Sequence, residues 1–172
     1  MKKIKVKTSE VLVAYNVLNS AKYGSMEDAD KIKVWKIARA LKPVATKFEE
    51  DNKDAAEKFK PKDEDFDQKL QEAQEFERLR NTGGDMSKAK IGVAQYEEFI
   101  AKFKEYNTLV GKAVEEFAKK EVTVEFEALS EESFGKLMAS NDWKISEVMA
   151  ISEIICKDPE YKGAVNPKKA DE

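Results

Sequence analysis

One seam constrains this chain more than any other feature. Val34, Ala38, Leu41, Ala45, Phe48, Asn52, Ala55 and Phe59 recur at alternating spacings of four and three. That is a heptad a/d pattern, which suits a helix paired with another helix. It predicts one helix from about Met26 to about Lys60, ended by Pro61. A second seam runs through Tyr96, Phe99, Phe103, Tyr106, Val110, Ala113 and Phe117, and predicts another helix over 87–120. The simplest arrangement sets these two antiparallel. A third helix over 62–81 then packs on both through Phe66, Leu70, Ala73, Phe76 and Leu79.

Pro43 interrupts the first seam without shifting its phase, since Leu41 and Ala45 stay in step across it. A proline inside a helix removes one hydrogen bond and crowds the carbonyl four residues back. Pro43 falls on the outer face, where water can satisfy the freed carbonyl of Arg39. The helix is therefore predicted to continue with a bend convex toward solvent. Trp35, Ile37 and Val44 widen the apolar face in the first half only. The bend should thus divide a bundled base from a projecting arm. Asn52 either fixes the register of the seam or marks its end.

The flanks read differently. Residues 8–21 form a first helix, with Val11, Ala14, Tyr15 and Leu18 inward and Thr8 or Ser9 as cap. Ser25 and Asp28 make a weakened capping box for the second helix. In "VTVEFEAL" the period drops to two, with Val122, Val124 and Phe126 on one side and Thr123, Glu125 and Glu127 on the other. A lone strand is unstable, and the other strand-like stretch is "IKVK" at residues 4–7, so the two should pair. The lysines around Ile4 and Val6 protect an edge strand. "LSEESFGKLMASN" is a short helix capped by Ser130. "WKISEVMAISEIIC" is another, with Ile145, Val148, Met149, Ile151 and Ile155 on its apolar side. The fold class is mainly α: an antiparallel long-helix bundle or hairpin with a small two-stranded β element. One helical domain covers 1–157, with a projecting arm at about 46–100 and a loosely ordered tail at 158–172.

Composition narrows the chemistry. The chain of 172 residues is 41% hydrophobic and 38% charged, with a net charge of -3, which fits a soluble helical protein and gives no global pull toward nucleic acid or membrane. It contains no histidine. That removes histidine-based nucleophile activation, histidine-ligated zinc and the Glu-x-x-His di-iron motif. Cys156 is the only cysteine, which suits a reducing cytoplasm, and it reads as a buried structural thiol. "NTGGDMSK" lacks the spacing of a phosphate loop and reads as an inter-helix connection. The acidic runs "EEDNKD" and "DEDFD" lack the glycine and ligand order of a calcium loop and read as solvated faces. No run approaches the ~20 apolar residues of a membrane span, and the start lacks the apolar core of a secretory leader. No catalytic, cofactor or metal site is expected.

Three segments together resemble small uncharacterised helical proteins of bacteriophages and prophages, some from gut Bacteroidales. They are "VAYNVLNSAKYGSMEDADKIKVWKIARALKPVATKFEEDNKDAAEKF", "VTVEFEALSEESFGKLM" and "SEVMAISEII". The resemblance implies a role near the virion or its assembly, in host cytoplasm or virion, and no catalytic residues. The expected function is a non-enzymatic structural or assembly module that binds a protein partner, or itself, through helical surfaces. The alternative is a nucleic-acid-associated regulator. It would use Lys31, Lys33, Lys36, Arg39 and Lys42 on the second helix.

Overall fold

The two period-two segments do pair. In the computed structural model, which describes residues 1–156, β1 (Lys2–Lys7) and β2 (Glu121–Phe126) run antiparallel with Ile4 opposite Val124 and Val6 opposite Val122. Their alternation sets the geometry. Ile4, Val6, Val124 and Phe126 turn inward, while Lys3 and Lys7 stand opposite Glu125 and Glu121 on the outer face. The remaining elements are α1 (Thr8–Asn19), α2 (Asp28–Phe59), α3 (Phe66–Thr82), a 3-10 turn (Met86–Lys88), α4 (Val93–Lys119), α5 (Glu131–Ala139) and α6 (Ile145–Ile155). The protein is thus mainly α-helical with one small two-stranded sheet. The tail expected at 158–172 lies outside the described residues.

The chain divides into two compact units. Among the described residues, one comprises Met1–Ala45 with Glu121 to Cys156, the other Thr46–Lys120. The core of the first gathers Val11, Leu18, Val34, Ile37, Leu41, Leu129, Leu137, Ile151 and Ile155, all fully buried. α1 packs on α6, and Leu129 just past β2 donates its N–H to the Ile155 carbonyl at 2.8 Å. Lys2 closes the end of α6, its Nζ donating to the carbonyls of Glu153 at 3.0 Å and Cys156 at 2.8 Å. A cation there satisfies free carbonyls and complements the helix dipole.

The second unit holds an aromatic core. Phe76 stacks on Tyr96 with centroids 4.6 Å apart, and Phe66 lies 5.5 Å from Phe99 and 5.7 Å from Tyr106. Numbers falling along α3 meet numbers rising along α4, so these two helices are antiparallel. They form the main helix pair here, where the seams had suggested the second and fourth helices. Seam length says that a helix has a partner; the rings on α3 decide which. α3 ends at Gly83, whose φ of 65° is left-handed backbone that glycine adopts without a Cβ penalty. Asp85 then accepts from the Ser87 N–H at 3.0 Å, so the glycine loop is a pair of caps.

Helix starts needed correction. At α1 neither Thr8 nor Ser9 is the cap. Glu10 reaches back and accepts the Lys7 N–H at 2.7 Å, leaving Thr8 buried in the first turn. α2 begins at Asp28, where the Glu27 carbonyl accepts from Asp30 and Lys31. Ser25 instead donates its N–H to Ser140 Oγ at 2.9 Å. α4 begins at Val93, six residues later than 87, with Gln95 accepting the Gly92 N–H. Ser130 caps α5 as expected, its Oγ accepting from the Ser133 N–H at 3.1 Å.

α2 continues through Pro43, which is exposed, as the unbroken phase of the seam predicts. The Arg39 carbonyl has lost its partner four residues on, and it lies on an exposed stretch where water reaches it. Pro43→Ala restores that bond without disturbing any buried side chain. It is expected to raise stability by about 1–2 kcal/mol, below the full ~3 kcal/mol propensity difference because the unfolded chain also gains freedom. Urea denaturation checks this, and a loss of stability would contradict it.

Cys156 is buried, and burial pushes its thiol up to about 11, with the nearby Lys2 ammonium opposing the shift only in part. Its folded value thus exceeds the unfolded one. The contribution to stability is complete below pH about 9 and is lost as pH rises toward 11. Alkylation of the native protein at pH 8 should be far slower than of the denatured protein. Equal rates would contradict the burial.

Candidate interaction surface

α2 turns Val34, Ile37, Leu41 and Ala45 into the core of the first unit or its edge. Its opposite side therefore carries Ile32, Trp35, Lys36, Arg39 and Pro43, spaced three and four apart or adjacent. Ile32 is 53% exposed and Trp35 57% exposed. Trp35 was expected to widen the buried face, and the structure corrects that. It lies too far around the helix from the Val34–Leu41 line to reach the core. Arg39 sits over the indole, with its guanidinium carbon 5.4 Å from the ring centroid. Such a contact is worth about 0.5–1 kcal/mol when exposed, and it fixes both side chains in place.

The five basic residues of the alternative reading divide. Lys31 is paired to Asp28 at 2.9 Å, and Lys33 lies 3.8 Å from Asp30 and 3.6 Å from Glu127. The Lys31 contact holds the Asp28 carboxyl below its ordinary value. Lys36, Arg39 and Lys42 form no ion pair among the described residues, and Arg39 stacks on Trp35. The structure thus sets Arg39 on one exposed aromatic ring, leaves Lys36 and Lys42 on the same helix without an ion pair among the described residues, and pairs the other two with carboxylates.

α6 needs a similar correction. Val148 and Ile151 face inward as expected and Ile155 is buried, but Ile145 is 79% exposed and Met149 61% exposed. Ile154, omitted from the sequence reading, takes their place in the core.

The acidic runs are engaged by lysines. Asp63 pairs with Lys102, Asp65 with Lys69, Asp67 with Lys60 and Asp51 with Lys47. These exposed pairs contribute little to stability. Among the described residues no cluster of three or more acidic or cysteine side chains is placed to hold a metal ion. Asn52 lies at a partly buried point of the seam, and its Oδ1 is sealed from solvent without a hydrogen-bond partner among the described residues. A seam that had ended would leave it in water, which is not its position, yet its oxygen meets no partner that would fix the register. No described helix is long and apolar enough to cross a membrane. No family model, curated protein or solved structure matches the chain.

Proposed function

We propose that the protein is a non-enzymatic interaction module of phage or prophage type, a structural or assembly component that binds another protein through the outer face of α2. The observation that carries this reading is the exposed Ile32–Trp35 pair with Arg39 held over the indole. Tryptophan and arginine dominate binding energy at protein interfaces, and water-exposed apolar side chains in a row gain most from being covered. A fixed Arg–Trp pair also loses less side-chain freedom on binding.

The nucleic-acid reading draws on the same ring, through Lys36, Arg39 and Lys42. It is the weaker of the two. Lys31 and Lys33 are already tied to carboxylates, and the net charge of the chain is negative.

A photo-crosslinking residue placed at Ile32 separates the readings in cells that make the protein. The expected result is a protease-sensitive adduct that disappears when Trp35→Ala is added. A nuclease-sensitive adduct whose yield falls steeply with salt would overturn the proposal in favour of nucleic acid. Trp35→Ala should leave the purified protein within about 1 kcal/mol of wild-type stability, because the ring is mostly exposed.

A further inference from the structure

Among the described residues the sheet has two strands in the order β1-β2, so each strand there keeps one edge without a strand partner. On β1 that edge can be located. Lys7 donates its N–H to the Glu10 carboxylate and not to β2. Main-chain groups alternate sides along an antiparallel strand. Lys2, Ile4 and Val6 therefore face β2, and Lys3 and Lys5 turn their N–H and C=O groups away from it. Among the described residues, no hydrogen bond outside the ladder reaches the main chain of Lys3 or Lys5.

A cavity of about 510 Å³ lies along this edge. Ile4 and Val6 from one face of β1 and Lys5 from the other both line it, so it follows the edge and not a face. Val13 of α1 and Ile154 of α6 are among its apolar walls. Val13 is 43% exposed. Unpaired main-chain groups beside an open, partly apolar trough are what strand addition requires.

The trough itself is balanced in charge, with Glu10 and Glu153 beside Lys2 and Lys5, so it is the outer face of β1 that selects the occupant. Lys3 and Lys7 form no ion pair among the described residues, and Lys5 on the same face reaches Glu121. β2 already answers this face, with Glu125 and Glu121 opposite Lys3 and Lys7 and valines opposite Ile4 and Val6. A strand on the free side meets the same lysines and the same apolar line. A second β1 would set lysine against lysine, which is unfavourable. We infer that the free edge of β1 takes an extended segment of a partner protein, alternating apolar and acidic residues, as a third strand. This rests on different residues from the α2 surface and stands or falls separately from it.

The probe is a short labelled peptide alternating valine and glutamate, with its valine–lysine counterpart as control. Fluorescence anisotropy should show binding of the acidic peptide alone, and hydrogen exchange should slow at Lys3 and Lys5. Lys5→Pro removes the outward N–H, a change an edge strand tolerates, together with the exposed Lys5–Glu121 ion pair, and should weaken binding about tenfold or more, whereas Lys5→Ala, which loses the ion pair but keeps the N–H, should bind nearly as the parent does. Should Lys5→Pro misfold, Lys3→Glu with Lys7→Glu provides the second test, by reversing the preference to the basic peptide. Equal binding of both peptides, or undiminished binding by folded Lys5→Pro, would overturn the proposal. So would a protein that ignores both peptides yet forms a dimer dispersed by Lys5→Pro, which would identify a second copy as the occupant.

Discussion

Phe66→Ala is expected to destabilise the second unit by about 3–5 kcal/mol. Phe66 is 5% exposed at the start of α3. Its ring meets Phe99, Phe103 and Tyr106, with centroids 5.5, 6.5 and 5.7 Å away. Truncation removes the apolar surface of the ring, opens a cavity among three other rings, and loses aromatic pair energies of about 0.5–1.5 kcal/mol each. The fully sheltered cluster here is small, comprising Phe66, Ala73, Phe76, Tyr96 and Phe99, so little else can compensate. Hydrogen exchange of the α3 and α4 amides is the right measurement, because it reads local opening without assuming one global transition. Loss of protection throughout both helices is the expected result. A change under about 1 kcal/mol would mean that Phe66 is not the hub of that core.

Leu41→Ala should cost about 2–5 kcal/mol in the first unit. Leu41 is fully buried among Leu18, Ile37, Leu137, Ile151 and their neighbours, two residues before the proline. Trp35→Ala, on the same helix and removing more atoms, should cost under about 1 kcal/mol. The comparison is sharp because side-chain size alone predicts the reverse order. Denaturant titration of both variants decides it, and a larger loss from Trp35→Ala would overturn the orientation of α2 described here.

That pair also marks how far the sequence could be read. Each residue assigned to the α2 seam, from Val34 to Phe59, is buried or partly buried. So is each from Tyr96 to Phe117 on α4. The strand pairing, 120 residues apart in sequence, followed from period two and from the need of one strand for another. Even its charges were written in: lysines on β1, glutamates on β2. The candidate surface was half legible. Its basic residues are visible in the sequence, but the apolar spacing puts Trp35 on the widened inner face and gives Ile32 no distinguishing mark. Measuring Trp35 around the helix from the centre of the Val34–Leu41–Ala45 line would have placed it outward.

By itself the sequence determined the direction of each apolar stripe, because hydrophobic spacing must match the repeat of the backbone that carries it. Only the tertiary structure decided the width of each stripe. Trp35, Ile145 and Met149 lie in water and Ile154 in the core because of what does or does not pack beside them, and that depends on distant segments. The same holds for helix starts. Several residues near helix ends could cap, and which contact forms, such as the Glu10 carboxylate on the Lys7 N–H or Ser140 Oγ on the Ser25 N–H, depends on the backbone around it.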